Sequence, residues 1–154
     1  LRKDLAERGN TKLPVIMRYK THIDEGAMYN TPPCFPIYLV MLVTRWIEKQ
    51  GGLAAVAKRN ADKAAKLYAA IDGSGGWYRG TAHKDFRSDM NVTFRLPNEE
   101  LEETFAKEAK KNDLIGLKGH RSVGGMRASV YNAMTIEGAK ELGKFMAEFQ
   151  RKNG

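Results

Sequence analysis

Hydrophobic and polar positions in this chain repeat with two different periods, and the period changes at glycines and prolines. The clearest helical pattern covers Leu53 to Asp72. There Leu53, Val56, Ala57, Ala64, Leu67, Tyr68 and Ile71 recur at three- and four-residue spacing, with Lys58, Arg59, Asp62, Lys63 and Lys66 on the remaining face. Gly73, Gly75 and Gly76 end it, and Trp77-Tyr78 reads as a packed aromatic pair beside the turn. Met90, Val92, Phe94 and Leu96 then alternate with Asn91, Thr93 and Arg95, which predicts a half-buried strand. Asn98 offers an N-cap, with Glu99 and Glu100 in the first turn and Lys110-Lys111 in the last, as the helix dipole favours. Residues 114–117 and 126–131 read as strands. Thr135 caps a last helix with Ala139, Leu142, Met146 and Phe149 on one face.

The first third is less regular. Leu1 to Asn10 is helix-compatible and stops at Gly9-Asn10. Val15 to Lys20 alternates and reads as extended; Thr21 to Pro36, with Gly26, Pro32, Pro33 and Pro36, reads as loop. Ile37 to Gln50 is apolar nearly all round as far as Thr44, which predicts a helix buried on most sides, broken by Gly51-Gly52. From residue 53 the expected order is helix, strand, helix, strand, strand, helix. That is an α/β (α+β) sandwich, with helices laid on a mostly antiparallel or mixed sheet.

Composition narrows the classes. A chain of 154 residues, 42% hydrophobic and 29% charged, is one domain or a piece of something larger, and is not disordered throughout. The opening at Leu1, without Met or a capping residue, reads as though cut from a longer protein; no signal peptide is expected. The apolar run Ile37–Val43 is far short of the roughly 20 residues that a membrane span needs. Cys34 is the only cysteine, which excludes an internal disulfide and fits a reducing compartment. His22, His83 and His120 are scattered, so no metal site is expected. Neither a phosphate-binding G-x-x-x-x-G-K-[ST] loop nor a G-x-S-x-G elbow occurs.

Charge changes the picture most. Lys and Arg number 26 against 18 Asp and Glu, a net +8, which suggests an anionic partner. Lys58, Arg59, Lys63 and Lys66 are the main case for nucleic acid, but Asp62 and the surrounding alanines favour a solvated helix face.

Two segments offer more focused chemistry. Leu117 to Tyr131, LKGHRSVGGMRASVY, gathers Lys118, His120, Arg121 and Arg127 around Gly119, Gly124 and Gly125. Arginine forks match carboxylates and phosphates, and glycines let backbone approach a ligand. If Met126 and Ala128 face the core, Arg127 faces outward. A glycine hairpin carrying solvated cations fits the same residues, and both readings stand. In Tyr29-Asn30-Thr31-Pro32-Pro33, Pro33 at or near the first helical position and Thr31 just before it suit a capped turn. The same helix N-terminus also suits a phosphate.

Together these segments resemble a known family. YNTPP ahead of an apolar helix, RSDMNVTF, and GHRSVGGMRASVYNAM resemble the phosphoserine aminotransferases, pyridoxal 5'-phosphate enzymes among the class-V aminotransferases. The resemblance spans essentially the whole chain and implies the C-terminal part, less than half, of such an enzyme. Residues 1–52 would be the tail of the large cofactor-binding domain, and 53–154 the small C-terminal domain of a fold-type I transferase. The lysine that holds the cofactor, the group pairing with its pyridine nitrogen and the stacking aromatic then belong upstream. No catalytic residue is assigned here, and the chain alone is not expected to transaminate.

Site by site, Asn30 and Thr31 match the pair that reaches across the homodimer interface to the cofactor phosphate. Arg127 matches the arginine that grips the substrate α-carboxylate. His120 and Arg121 match the pair that receives the distal anion, again across the interface. The implied reaction moves an amino group between glutamate and 3-phosphohydroxypyruvate, giving phosphoserine and 2-oxoglutarate in serine biosynthesis. A cytoplasmic homodimer acting on small anions, with neither nucleic acid nor membrane as partner, is implied. A role in pyridoxine biosynthesis also falls within the family's range. The alternatives are another class-V aminotransferase, against which His120-Arg121 ahead of GGMRAS speaks, and the basic nucleic-acid module.

Overall fold

The 3.6-residue period after Gly51 builds the longest helix of the computed structural model, which describes residues 2–154. The chain forms two compact units, one ending at Trp46 and the other Ile47–Gly154. In the first, helix α1 covers Lys3–Glu7, a 3-10 turn Val15–Met17 follows, and α2 covers Tyr19–Asp24. Helix α3, Cys34–Lys49, begins there and runs into the second unit. The second continues with α4 Gly52–Asp72, β1 Arg79–Gly80, a 3-10 turn Lys84–Phe86, β2 Asn91–Arg95, α5 Glu99–Lys111, β3 Met126–Ser129 and α6 Ile136–Asn153.

The strands form one antiparallel sheet in the order β1-β2-β3. Val92 pairs with Ala128 and Phe94 with Met126, so the alternating residues of both strands face one way. All four are buried, as are Leu96 and Val130. Helix α4 packs on α6 and over β1 and β2, so the expected layering of helices on an antiparallel sheet is present. Ala139, Leu142, Met146 and Phe149 are the buried face of α6, as their spacing predicts. An aromatic cluster fills the middle: Phe105 meets Phe145 and Phe149 at 5.0 Å between ring centroids, and Phe94 at 5.9 Å. Trp77 and Tyr78 meet edge to face at 4.6 Å. Tyr78 donates its hydroxyl to the Met146 carbonyl at 2.8 Å, so burial costs it no partner. Both expected caps form: Asn98 Oδ1 accepts from the Leu101 N–H at 2.8 Å, and Thr135 Oγ1 from the Gly138 N–H at 3.2 Å.

Several expectations are corrected. Residues 114–117 are not a strand; a single bridge joins Lys118 to Met126, and the strand before α5 is matched by β1, only two residues long. Leu53 is exposed. Lys63, expected on the solvated face, is fully buried: its Nζ donates to the carbonyls of Tyr131 at 2.6 Å, Met134 at 3.0 Å and Val130 at 3.1 Å. A helical wheel cannot foresee this, because the acceptors come from a segment about 70 residues away. Burial, and then the charge of Arg59, push the Lys63 ammonium below its ordinary pKa. Three carbonyl acceptors nevertheless require the three N–H donors that only the ammonium form carries. One turn earlier, Asn60 Nδ2 donates to Asn132 Oδ1 at 2.8 Å, so one side of α4 grips the segment after β3 at two points.

The first unit departs further. Val15 to Lys20 is not extended: Pro14 starts a turn in which the Met17 N–H reaches its carbonyl at 2.9 Å, and α2 follows at Tyr19. Alternation makes a strand only where a partner strand exists, and among the described residues none pairs with this segment. Part of the expected loop, Thr21–Asp24, is therefore helical. Helix α3 forms but carries no buried residue, with Phe35 69% and Val40 63% exposed. Apolar residues all round a helix call for cover without saying what supplies it. Among the described residues, no helix is long and apolar enough to cross a membrane.

Candidate functional site

Strand β3 carries Arg127 between buried Met126 and Ala128, so its side chain leaves the sheet on the face away from the core. Thr93 is its partner on β2, and its own N–H is taken by the Leu117 carbonyl at 2.8 Å. The side chain is half-buried. Its Nε is fully shielded from solvent yet has no hydrogen-bond partner, and no carboxylate pairs with the guanidinium among the described residues. Buried donors are nearly always satisfied, so Arg127 is a candidate for a carboxylate or phosphate from outside the chain.

The segment before β3 turns tightly. His120 C=O accepts from the N–H groups of Val123 at 2.9 Å and Gly124 at 2.8 Å, while the Gly119 N–H reaches the Gly125 carbonyl at 2.7 Å. Gly119 is required by this closeness: a Cβ there would lie 2.1 Å from the Gly124 carbonyl oxygen. His120 and Arg121 stand at the exposed tip. Ser122 holds the His120 ring from one side: its Oγ lies 2.7 Å from Nδ1, and its N–H donates to Nδ1 at 3.3 Å. Arg121 has no ion pair among the described residues.

A cleft of about 210 Å³ is lined by Arg95, Glu102, Lys118, His120 and Arg121 among others. The structure thus brings His120 and Arg121 to one cleft, together with Lys118. Arg127 stands on the sheet face and is not part of that lining. Arg95, not among the residues that the motifs point to, lies in the cleft wall; its place at the end of the outward-facing series Asn91, Thr93, Arg95 is the available signal.

Asn30 and Thr31 belong to the first unit, in the segment between α2 and α3. Both are exposed, and neither side chain has a hydrogen-bond partner among the described residues. The expected Thr31 cap does not form. The helix starts at Cys34, so Pro33 precedes its first residue and Thr31 sits a further two residues back; the Cys34 N–H turns to the Pro32 carbonyl at 2.8 Å instead. An exposed amide and hydroxyl with uncommitted donors fit a phosphate group. The one buried lysine among the described residues, Lys63, has all its donors engaged and is not a free amine.

The basic face considered for nucleic acid disperses. Lys63 is internal, Lys58 pairs with Asp62 at 2.9 Å, and Arg59 donates to Gln50 Oε1 at 2.9 Å. Lys66 alone of the four is left on that face without such a contact.

Comparisons with known proteins agree with the motifs. The model of the family described as Aminotransferase class-V matches residues 4–142. A phosphoserine aminotransferase of Herpetosiphon aurantiacus is 54% identical over the whole chain, which covers 43% of that protein; one from Bacillus subtilis is 48% identical over 99% of the chain and 43% of its own length. The solved phosphoserine aminotransferase of Bacillus circulans subsp. alkalophilus superposes with a TM-score of 0.91 at 50% identity, covering 100% of this chain and 43% of that one. A structure of the Trichomonas vaginalis phosphoserine aminotransferase with bound PLP gives 0.85 at 38% identity, covering 96% of this chain and 42% of that one. The chain therefore spans less than half the length of the relatives it matches.

Proposed function

The chain belongs to the class-V aminotransferase family, and we propose that it forms the C-terminal part of a phosphoserine aminotransferase. The reaction is amino transfer from glutamate to 3-phosphohydroxypyruvate, yielding phosphoserine and 2-oxoglutarate. Residues 1–52 are then the tail of the cofactor domain and 53–154 the small domain; the self-contained core after Ile47 and the glycine break at 51–52 support that division. A homodimer with a site shared between subunits, working in the cytoplasm, completes the reading, and the single cysteine suits a reducing compartment.

Pyridoxal phosphate supplies the electron sink for this chemistry, and the protein supplies binding and orientation. Asn30 and Thr31 donate hydrogen bonds to its phosphate. Arg127 takes the substrate α-carboxylate in a two-pronged contact, which fixes rotation about the substrate Cα. His120 and Arg121 receive the second anion, a phosphate in one half-reaction and a carboxylate in the other. Both substrates carry an α-carboxylate and a distal anion, so two cationic stations are what the reaction requires.

The observation that carries this reading is the unmatched Arg127 guanidinium, on a strand whose motif and family agree. Arg127→Lys in the full-length enzyme should raise KM for glutamate about tenfold or more, because an ammonium cannot reproduce the fork. Unchanged kinetics remove Arg127 from the role. Replacing Asn30 and Thr31 together with Ala should weaken cofactor retention on dialysis, and full retention argues against the phosphate contact.

A further inference from the structure

The turn bearing His120 and Arg121 has little side-chain packing of its own, since residues 120–124 are all exposed. Something must hold its tip in register with β3. One side chain beneath it touches the turn at three points.

Arg95 is the last residue of β2: it pairs with Arg79 on β1, but on the β3 side it stands one position past the Phe94–Met126 pair, where the turn lies. Its Nη2 donates to the Val123 carbonyl. A Cβ on Gly124 would lie 3.1 Å from Arg95 Nη1, and one on Gly125 would lie 2.9 Å from Arg95 Cδ. Both glycines have φ above +70°, so backbone shape favours glycine at each, and at Gly125 the closeness of the Arg95 stem and the Phe94 carbonyl adds to it. The GG of the motif is thus the seat for an arginine stem.

Arg95 is itself held. Its Nη1 pairs with Glu102 Oε2 at 3.3 Å, and Glu102 Oε1 accepts from the Leu96 N–H at 3.3 Å. Glu102 is buried to 9% exposure in the first turn of α5, where the helix N-terminus also favours its charge. A connected path therefore runs from the Leu96 backbone through Glu102 and Arg95 to Val123, and from Val123 to the His120 carbonyl. The carboxylate also answers the charge of Arg95. Within the cleft this separates a neutralised supporting arginine from Arg121 and Lys118, which have no ion pair among the described residues.

We propose that Arg95, fixed by Glu102, is a positioning residue that sets the His120–Arg121 turn and thereby the station for the distal anion. The link to the anion rests on the function proposed above; the link to the turn does not. Arg95→Met in the full-length enzyme keeps the stem under the glycines and removes the donors. Hydrogen exchange in the peptide 117–127 should then accelerate about tenfold or more at Val123 and Gly124, with α6 unchanged. Glu102→Gln keeps an acceptor for Leu96 and should give the same change in smaller measure, which serves if Arg95→Met does not fold. Unaltered exchange in a folded variant overturns the proposal.

Kinetics on the same variants separate the two claims. KM for phosphoserine should rise about five- to tenfold while kcat stays within about twofold. Faster exchange with an unchanged phosphoserine KM keeps Arg95 as the support of the turn. It overturns that turn's part in specificity, and with it the distal-anion role of His120 and Arg121.

Discussion

The two compact units handle similar hydrophobic patterns in opposite ways. In the unit from Ile47 onward, period-2 and period-3.6 faces meet one another, and Phe94, Phe105, Met146 and Phe149 are almost completely excluded from solvent. In residues 2–46 only Ala6 is buried among the hydrophobics, while Ile16, Met17, Phe35 and Val40 are all more than half exposed. Periodicity specifies a face in both. Burial needs a partner for that face, and only the second unit contains its own.

Mutations can break or sharpen this contrast. Phe105→Ala should cost the chain about 3–5 kcal/mol in urea denaturation, because four other rings close around it. A loss below about 1 kcal/mol means the aromatic core is not the one described. Lys63→Met should cost about 2–3 kcal/mol, since three carbonyls lose a charged donor and methionine fills only the stem. If the variant is as stable as the parent chain, the buried ammonium is dispensable.

Next in size is the Asp72 pair. The Arg87 guanidinium grips both Asp72 oxygens, at 2.7 and 2.8 Å, and holds its carboxyl below the ordinary range. A carboxyl lowered in the folded state contributes stability above its unfolded pKa, near 4, and loses that contribution as pH falls through the lower folded value. The Asp72 side chain is 38% exposed, so the term is worth no more than about 1 kcal/mol. Asp72→Asn should flatten the acid side of the stability profile below about pH 4, and an identical profile contradicts the pairing. Smallest is Val40→Ser on α3, expected within about 0.5 kcal/mol in this chain. A larger loss means that face is covered in solution.

Legibility followed the same division. The caps at Asn98 and Thr135, the β2 alternation and the buried stripe of α6 depend on neighbours within a few residues, and all were readable. Lys63 and Arg95 were not. Each acts on a segment brought close only by the sheet, Lys63 on residues 130–134 and Arg95 on the turn at 123–125, and no local pattern encodes such a meeting. Thr31 failed as a cap for a smaller reason: two prolines follow it, and the helix begins one residue after the second. The outward aim of Arg127 was readable because its two neighbours had to face inward. The candidate site was therefore legible as motif and strand parity, and its support was not.

The central claim is that the cations near β3 divide their work, with Arg127 on the α-carboxylate and His120–Arg121 on the distal anion. The most direct test is kcat/KM of full-length Arg121→Gln for glutamate and for alanine, which has no distal anion. The account predicts that the glutamate value falls about tenfold to a hundredfold while the alanine value stays within about twofold. Equal losses for both amino acids, or no loss for glutamate, contradict it.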